Sequence, residues 1–151
     1  LPHAAAFLDP LHSAGNAHTL CGIEKLMPIF ANEHKGRFEL LQEYQRTTMH
    51  EVDLLDKIIH GCYHCFDDFE LLSNYAMLYF SGADFTERQR RAGNLTGFLN
   101  SSDEAFCKMI DEFYKQVLNG TIRVSDFSGA IEPWNMAGLC NPAKQNMYDY
   151  A

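Results

Sequence analysis

The stretch Gly36-Arg37-Phe38-Glu39-Leu40-Leu41-Gln42-Glu43-Tyr44, continued through Thr48, Val52, Leu55 and Ile59 to Cys62, decides the fold class of this chain. Phe38, Leu41, Tyr44, Thr48, Val52, Leu55, Ile59 and Cys62 follow one another at steps of three and four. Such steps stack side chains on one face of a helix, here over about seven turns, whereas a half-buried strand would alternate with period two. Glu51, Asp53 and Asp56 read as the solvated side of that helix, because they lack the ligand spacing of a di-iron carboxylate bundle.

Working outward, the same period appears on both sides. Residues 16–31 are predicted to form a helix with Leu20, Ile23, Leu26 and Met27 on one stripe and Phe30 a turn further on. Asp67-Asp68 supplies a start for a helix from Phe69 to Phe80 that is apolar on nearly every side, and Ser81-Gly82 closes it. A short polar helix is expected over 84–92 and a connector over 93–100. Ser101-Ser102-Asp103-Glu104 reads as a capping box, with Ser101 at the cap and Glu104 three residues on. The helix it opens carries Phe106, Met109, Ile110, Phe113, Tyr114 and Val117 and stops at Asn119-Gly120. A shorter helical piece follows over 124–131, and Asn141-Pro142 can open a last turn. The expected organisation is one mainly α domain or fragment: a strand and turn over 1–15, helices over 16–131 and an irregular tail over 132–151. The strand, or extended segment, is residues 4–8. A lone strand leaves its backbone groups unpaired, so either the segment is a loop here or its sheet lies in a portion N-terminal to this chain.

Composition narrows the partners. The 151 residues are 46% apolar and 13% aromatic, enough for one domain with a real core. Twenty acidic residues against twelve basic ones give a net charge of −8, so nucleic acid and anionic membrane are not expected partners. The one basic cluster, Arg88-Gln89-Arg90-Arg91, reads as a solvated helix end. No apolar run is long enough to span a bilayer. Five cysteines, at 21, 62, 65, 107 and 140, are odd in number and irregular in spacing. They predict a reducing compartment, the cytoplasm, and no disulfide framework.

Three constellations can carry chemistry. In Asp9-Pro10-Leu11-His12-Ser13-Ala14-Gly15-Asn16, Pro10 fixes its own φ and holds Asp9 extended. Ala14 and Gly15 let backbone come within contact of a ligand, and the amides of residues 13–16 leave the helix start with the positive end of its dipole behind them. This is either an ordinary loop-to-helix junction or a cradle for an anion or an electron-poor cofactor edge. His60-Gly61-Cys62-Tyr63-His64-Cys65 places two histidines four apart and two cysteines three apart. On one helix the two pairs project in different directions, so packing is expected there and no metal. Phe69, Tyr75, Tyr79 and Phe80 read as core or as the wall of a pocket for a flat molecule, and Trp134 poses the same choice.

The run Phe7-Leu8-Asp9-Pro10-Leu11-His12-Ser13-Ala14-Gly15 resembles a motif of flavin-dependent halogenases and related FAD monooxygenases. There a phenylalanine, an aliphatic residue and Asp-Pro or Glu-Pro precede a small-residue Ser-x-Gly turn. The continuation from Ala17-His18-Thr19-Leu20-Cys21-Gly22-Ile23-Glu24 is similar to a tryptophan-halogenase-like subgroup. So are Gly61-Cys62-Tyr63, Phe69-Glu70-Leu71, the run from Tyr75 to Phe80, Asn135-Met136-Ala137-Gly138-Leu139 and Asn146-Met147-Tyr148. The resemblance spans the chain and matches the C-terminal part of such an enzyme. It implies the helical C-terminal portion of an FAD-binding α/β oxidoreductase, with most of the FAD site in an N-terminal portion. It implies a flavin-facing role for Pro10, Ser13, Ala14, Gly15 and Asn16, where a helix start stabilises the charge of a reduced flavin. Oxidation, monooxygenation or halogenation of a small aromatic or other organic substrate follows, with reducing power from NAD(P)H or a flavin reductase. The chain departs from the family at three places. His12 stands where halogenases carry a glutamate, Ala14 where a threonine is common, and Pro2-His3 where a Gly-Asp pair reaches the ribityl chain. The family's Gly-x-Gly-x-x-Gly and Trp-x-Trp-x-Ile-Pro signatures do not occur in this chain. A neutral imidazole beside a flavin can exchange a proton near neutral pH, which makes His12 the candidate catalytic residue. The alternatives are a non-catalytic helical interaction module, in which the turn is a plain helix start, and a small metal-binding helical protein centred on His60 and His64.

Overall fold

The computed structural model describes residues 2–31, 36–94 and 97–138. Among them every regular element is helical: α1 Pro2–Ala5, α2 Ala14–Ala31, α3 Arg37–His64, α4 Phe69–Arg91, α5 Glu104–Leu118 and α6 Ser125–Ile131. Short 3-10 turns stand at Pro10–His12, Phe98–Asn100 and Glu132–Trp134. The mainly α class expected from the periodicity is the class observed. The last turn expected at Asn141-Pro142, and the Asn146-Met147-Tyr148 motif, lie outside the described residues.

The long helix is the axis of the molecule, with α2, α4 and α5 packed on it. Its buried arc is Thr48, Glu51, Leu54, Leu55, Ile58, Ile59, Gly61 and Cys62. Burial is therefore concentrated in the C-terminal two thirds, and Phe38 near the start of the stripe is exposed. Against this arc α5 sets Phe106, Met109, Ile110, Phe113 and Val117, and α4 sets Tyr75, Leu78 and Tyr79. Phe127, Ile131 and Trp134 close the far side. Trp134 is core rather than pocket wall: it is buried, edge-on to Phe106, and donates from Nε1 to Asp103 Oδ2 at 2.8 Å.

Four local expectations are corrected. Residues 4–8 form no strand: Pro2–Ala5 is a helical turn closed by Ala6 N–H on the Pro2 carbonyl at 3.0 Å. Three consecutive alanines favour that turn, proline fits its first position, and no described strand lies beside them to pair. Ser81-Gly82 does not end a helix; α4 runs through it to Arg91. The glycine is there for packing, since a Cβ at Gly82 would sit 2.8 Å from Phe106 Cζ and 3.2 Å from the Leu99 carbonyl oxygen. The cap of α5 is Asp103, whose carboxylate accepts from Ala105 and Phe106 N–H at 2.9 and 3.1 Å. Ser101 turns inward instead. Finally, Glu51 is not solvated, unlike its neighbours Asp53 and Asp56: it is 2% exposed.

Candidate functional site

The turn singled out in the sequence is built by its own residues. Asp9 caps the Pro10–His12 turn by accepting from Leu11 N–H at 3.0 Å, and it also accepts from the Tyr63 hydroxyl of α3 at 2.9 Å. Ser13 then reverses the chain in the left-handed region, at φ 54° and ψ 24°, and α2 starts at the next residue. A non-glycine residue adopts that conformation only where its surroundings hold it. Here Ser13 N–H donates to the Pro10 carbonyl at 2.8 Å, and Ala14 is fully buried and so anchors the turn in the core.

The outer side of this turn is an open hollow of about 260 Å³ lined by Phe7, Leu8, Pro10, Ser13, Gly15 and Asn16. Four of the five expected cofactor-side residues thus share one surface. The fifth, Ala14, presents its side chain to the core. Helix geometry leaves the first N–H groups of α2 without intrahelical partners at the same place. Donors at a helix start suit an anionic group.

His12 does not line that hollow. Its ring stacks on Tyr79 at 4.6 Å between centroids, meets Phe80 edge-on at 5.9 Å, and its Nε2 lies 3.6 Å from Cys62 Sγ. Burial lowers its pKa, so the neutral imidazole prevails at neutral pH. Among the aromatic residues of α4, Tyr79 therefore backs the turn and Tyr75 is core, while Phe69 and Phe80 are exposed.

The histidines and cysteines at the end of α3 do not converge. His60 and His64 meet edge-on at 4.7 Å on an exposed face, and His60 Nδ1 pairs with the Tyr114 hydroxyl at 2.7 Å. Cys62 and Cys65 point into the core, where burial pushes their thiols up to about 12 and about 11, the reverse of what a metal ligand needs. Among the described residues no three His, Cys, Asp or Glu side chains gather as a metal site.

What the sequence reading missed is a buried carboxylate centre. Glu51 Oε2 accepts from His18 Nε2 at 3.0 Å. Its Oε1 accepts from the Lys25 ammonium, from Phe98 N–H at 2.7 Å and from the Ser101 hydroxyl at 3.4 Å. Burial alone would raise the Glu51 pKa, but the bonds from His18, Lys25 and Phe98, with the Lys25 charge, outweigh it and hold the carboxyl below its usual range. With four donors on two oxygens, the carboxylate has little capacity left for a substrate. It ties α2, α3 and the Phe98–Asn100 turn together. The signal was in the spacing: Glu51 falls between Thr48 and Leu55 at steps of three and four, and His18 and Lys25 lie seven apart on α2.

A second cavity, of about 210 Å³, opens beside this centre between α2 and α4. Cys21, Glu24, Lys25 and Pro28 line it from α2, Thr86 and Arg90 from α4, and Phe98 from the connector. The connector is strained there, with Leu99 and Asn100 both at positive φ, 49° and 57°. Phe98 N–H on Glu51, and Asn100 N–H on Thr86 Oγ1 at 2.7 Å, hold it in place. Compared with known proteins, the chain matches no family model, no curated protein and no solved structure.

Proposed function

We propose that this chain is the C-terminal, flavin-facing portion of an FAD-dependent oxidoreductase resembling tryptophan halogenases. The observation that carries the reading is the hollow over Pro10, Ser13, Gly15 and Asn16, which brings the residues assigned to the flavin by the resemblance onto one surface at a helix start. The donor set fits the group: backbone N–H groups and the α2 dipole suit the anionic edge of a reduced flavin, and Phe7 and Pro10 offer apolar contact to a ring. When bound, FAD would supply the redox chemistry of an oxidation, monooxygenation or halogenation on a small aromatic or other organic substrate. The residues of this chain orient the ring edge and shield it from water on one side. Ser13 and Gly15 set the backbone path, and Ala14 fixes the turn to the core. His12 holds the turn against Tyr79 from behind. The rest of the FAD site belongs, in this reading, to an N-terminal portion of the enzyme, and reducing equivalents come from NAD(P)H or a flavin reductase.

The test uses the product of the complete reading frame. It is expected to be yellow, with flavin absorbance, and Gly15→Leu, which fills the hollow, is expected to lower flavin occupancy while helix content is retained. For His12→Ala, occupancy and turnover are measured separately. A fall in occupancy with unchanged turnover per bound flavin fits a positioning role, and a fall in turnover at full occupancy fits a direct catalytic one. Colourless protein that takes up no FAD, or unchanged occupancy in Gly15→Leu, overturns the reading.

A further inference from the structure

The cavity between α2 and α4 takes no part in the proposed flavin site, and its walls are built rather than accidental. Native interiors leave few voids larger than a water molecule, and a cavity on the order of 150 Å³ already holds a benzene-sized ring. This one, at about 210 Å³, keeps its shape because its walls are fixed from outside. Glu51 holds both Lys25 and Phe98, and Arg90 Nη2 bridges α4 to Glu24 on α2 at 2.6 Å. Pro28 lies inside α2 and lines the same wall.

The charges around the cavity decide what it can take. Lys25 is committed to Glu51, and Arg90 to Glu24 with Glu87 at 3.6 Å. Three carboxylates thus face two cations, and a carboxylate ligand would add repulsion. A cationic ligand would have to displace Lys25 or Arg90 from its partner. Lys25 retains further N–H donors, since an ammonium carries three.

We propose that this cavity binds a compact, uncharged molecule about the size of one six-membered ring, its apolar body against Cys21, Pro28 and Phe98 and one acceptor atom on the Lys25 ammonium. Burial raises the Cys21 pKa, so the thiol stays protonated, and its sulfur lies 3.9 Å from Arg90 Nη1. The site is independent of the flavin reading.

The experiment titrates the 151-residue chain with cyclohexanone, following backbone amides by NMR, beside cyclohexanecarboxylate and cyclohexylammonium. Saturable shifts at Cys21, Lys25, Thr86 and Phe98 with a dissociation constant near about 1 mM are expected. Both charged analogues should bind about tenfold more weakly. Cys21→Phe, which fills the cavity with its own ring, should abolish those shifts while the rest of the spectrum is retained. Unsaturable shifts scattered over the surface, equal binding to Cys21→Phe, or tighter binding of either charged analogue overturns the proposal.

Discussion

At the scale of single residues, Glu51 is the position where sequence chemistry and fold are most tightly joined. Glu51→Gln keeps the shape but removes the charge on which Lys25, His18 and Phe98 N–H converge. Breaking a buried ion pair by removing one partner costs about 3–5 kcal/mol. Lys25 is part-exposed and can turn toward water, so a loss near about 3 kcal/mol is expected in urea denaturation at pH 7. The pH dependence has a definite sign. The folded-state pKa of Glu51 is held below the ordinary value of 4.5, so its stabilisation is present above the unfolded pKa and is lost as pH falls through the folded one. The gap between wild type and Glu51→Gln should therefore be full at pH 7 and shrink steadily below about pH 4.5. Asp103, also lowered, is intact in both proteins and cancels in the difference. A gap that stays constant down to pH 3 would show that shape, not charge, is what the substitution removes.

Among the elements, glycines separate close helix packing from mere helix propensity. A Cβ at Gly61 would lie 2.2 Å from Tyr75 Cζ, and Tyr75 is fully buried with its hydroxyl on the Lys57 carbonyl at 3.3 Å. The ring has nowhere to retreat, so Gly61→Ala is expected to cost about 1–3 kcal/mol despite the better helix former. Gly82→Ala meets Phe106 and the Leu99 carbonyl less severely and should fall at the lower end of that range. Gly129 in α6 has nothing within 4 Å, and its replacement by alanine should stabilise the protein by up to about 1 kcal/mol. Thermal denaturation of the three variants checks the order, and a stabilised Gly61→Ala would contradict the α3–α4 packing. The same distinction explains what was legible in advance. Periodicity located α3 and α5, and the Asp68 cap and the Asn119-Gly120 stop marked ends, because these signals are local. Gly82, Ser101 and Glu51 were misread because each answers to a residue far away in sequence: Phe106, Glu51 itself, and His18 with Lys25. For the candidate turn, the residue types announced the backbone path, but only tertiary structure could separate Ala14 and His12, which face inward, from Ser13 and Gly15, which face the hollow.

For the whole molecule, the telling feature is that most of the apolar stripe of α2 faces solvent, with Leu26 half-buried. Leu20, Met27 and Phe30 are 68%, 61% and 59% exposed, and Ile23 lies between them. Arg37 covers one end, its guanidinium 6.0 Å from the Phe30 ring centroid. The opposite side of α2, with Ala14, His18 and Gly22, is the buried one. The stripe starts at Leu20, one helical turn beyond Asn16 of the hollow. In a monomer, an apolar row of this length marks an interaction surface or an aggregation liability. The net charge of −8 works against association at low salt, and salt screens that repulsion while leaving apolar attraction in place. The chain alone is therefore expected to self-associate with rising concentration in sedimentation velocity, more strongly at 0.5 M than at 0.05 M salt, roughly as the Debye length shrinks. The variant Leu20→Gln/Met27→Gln/Phe30→Gln should remain monomeric at both salts and should unfold within about 0.5 kcal/mol per substitution of wild type, as exposed positions do. Association that weakens with salt would point to ion pairs instead. A large loss of stability in the variant would mean that α2 buries this face against the rest of the chain, and that it is not a free surface for association.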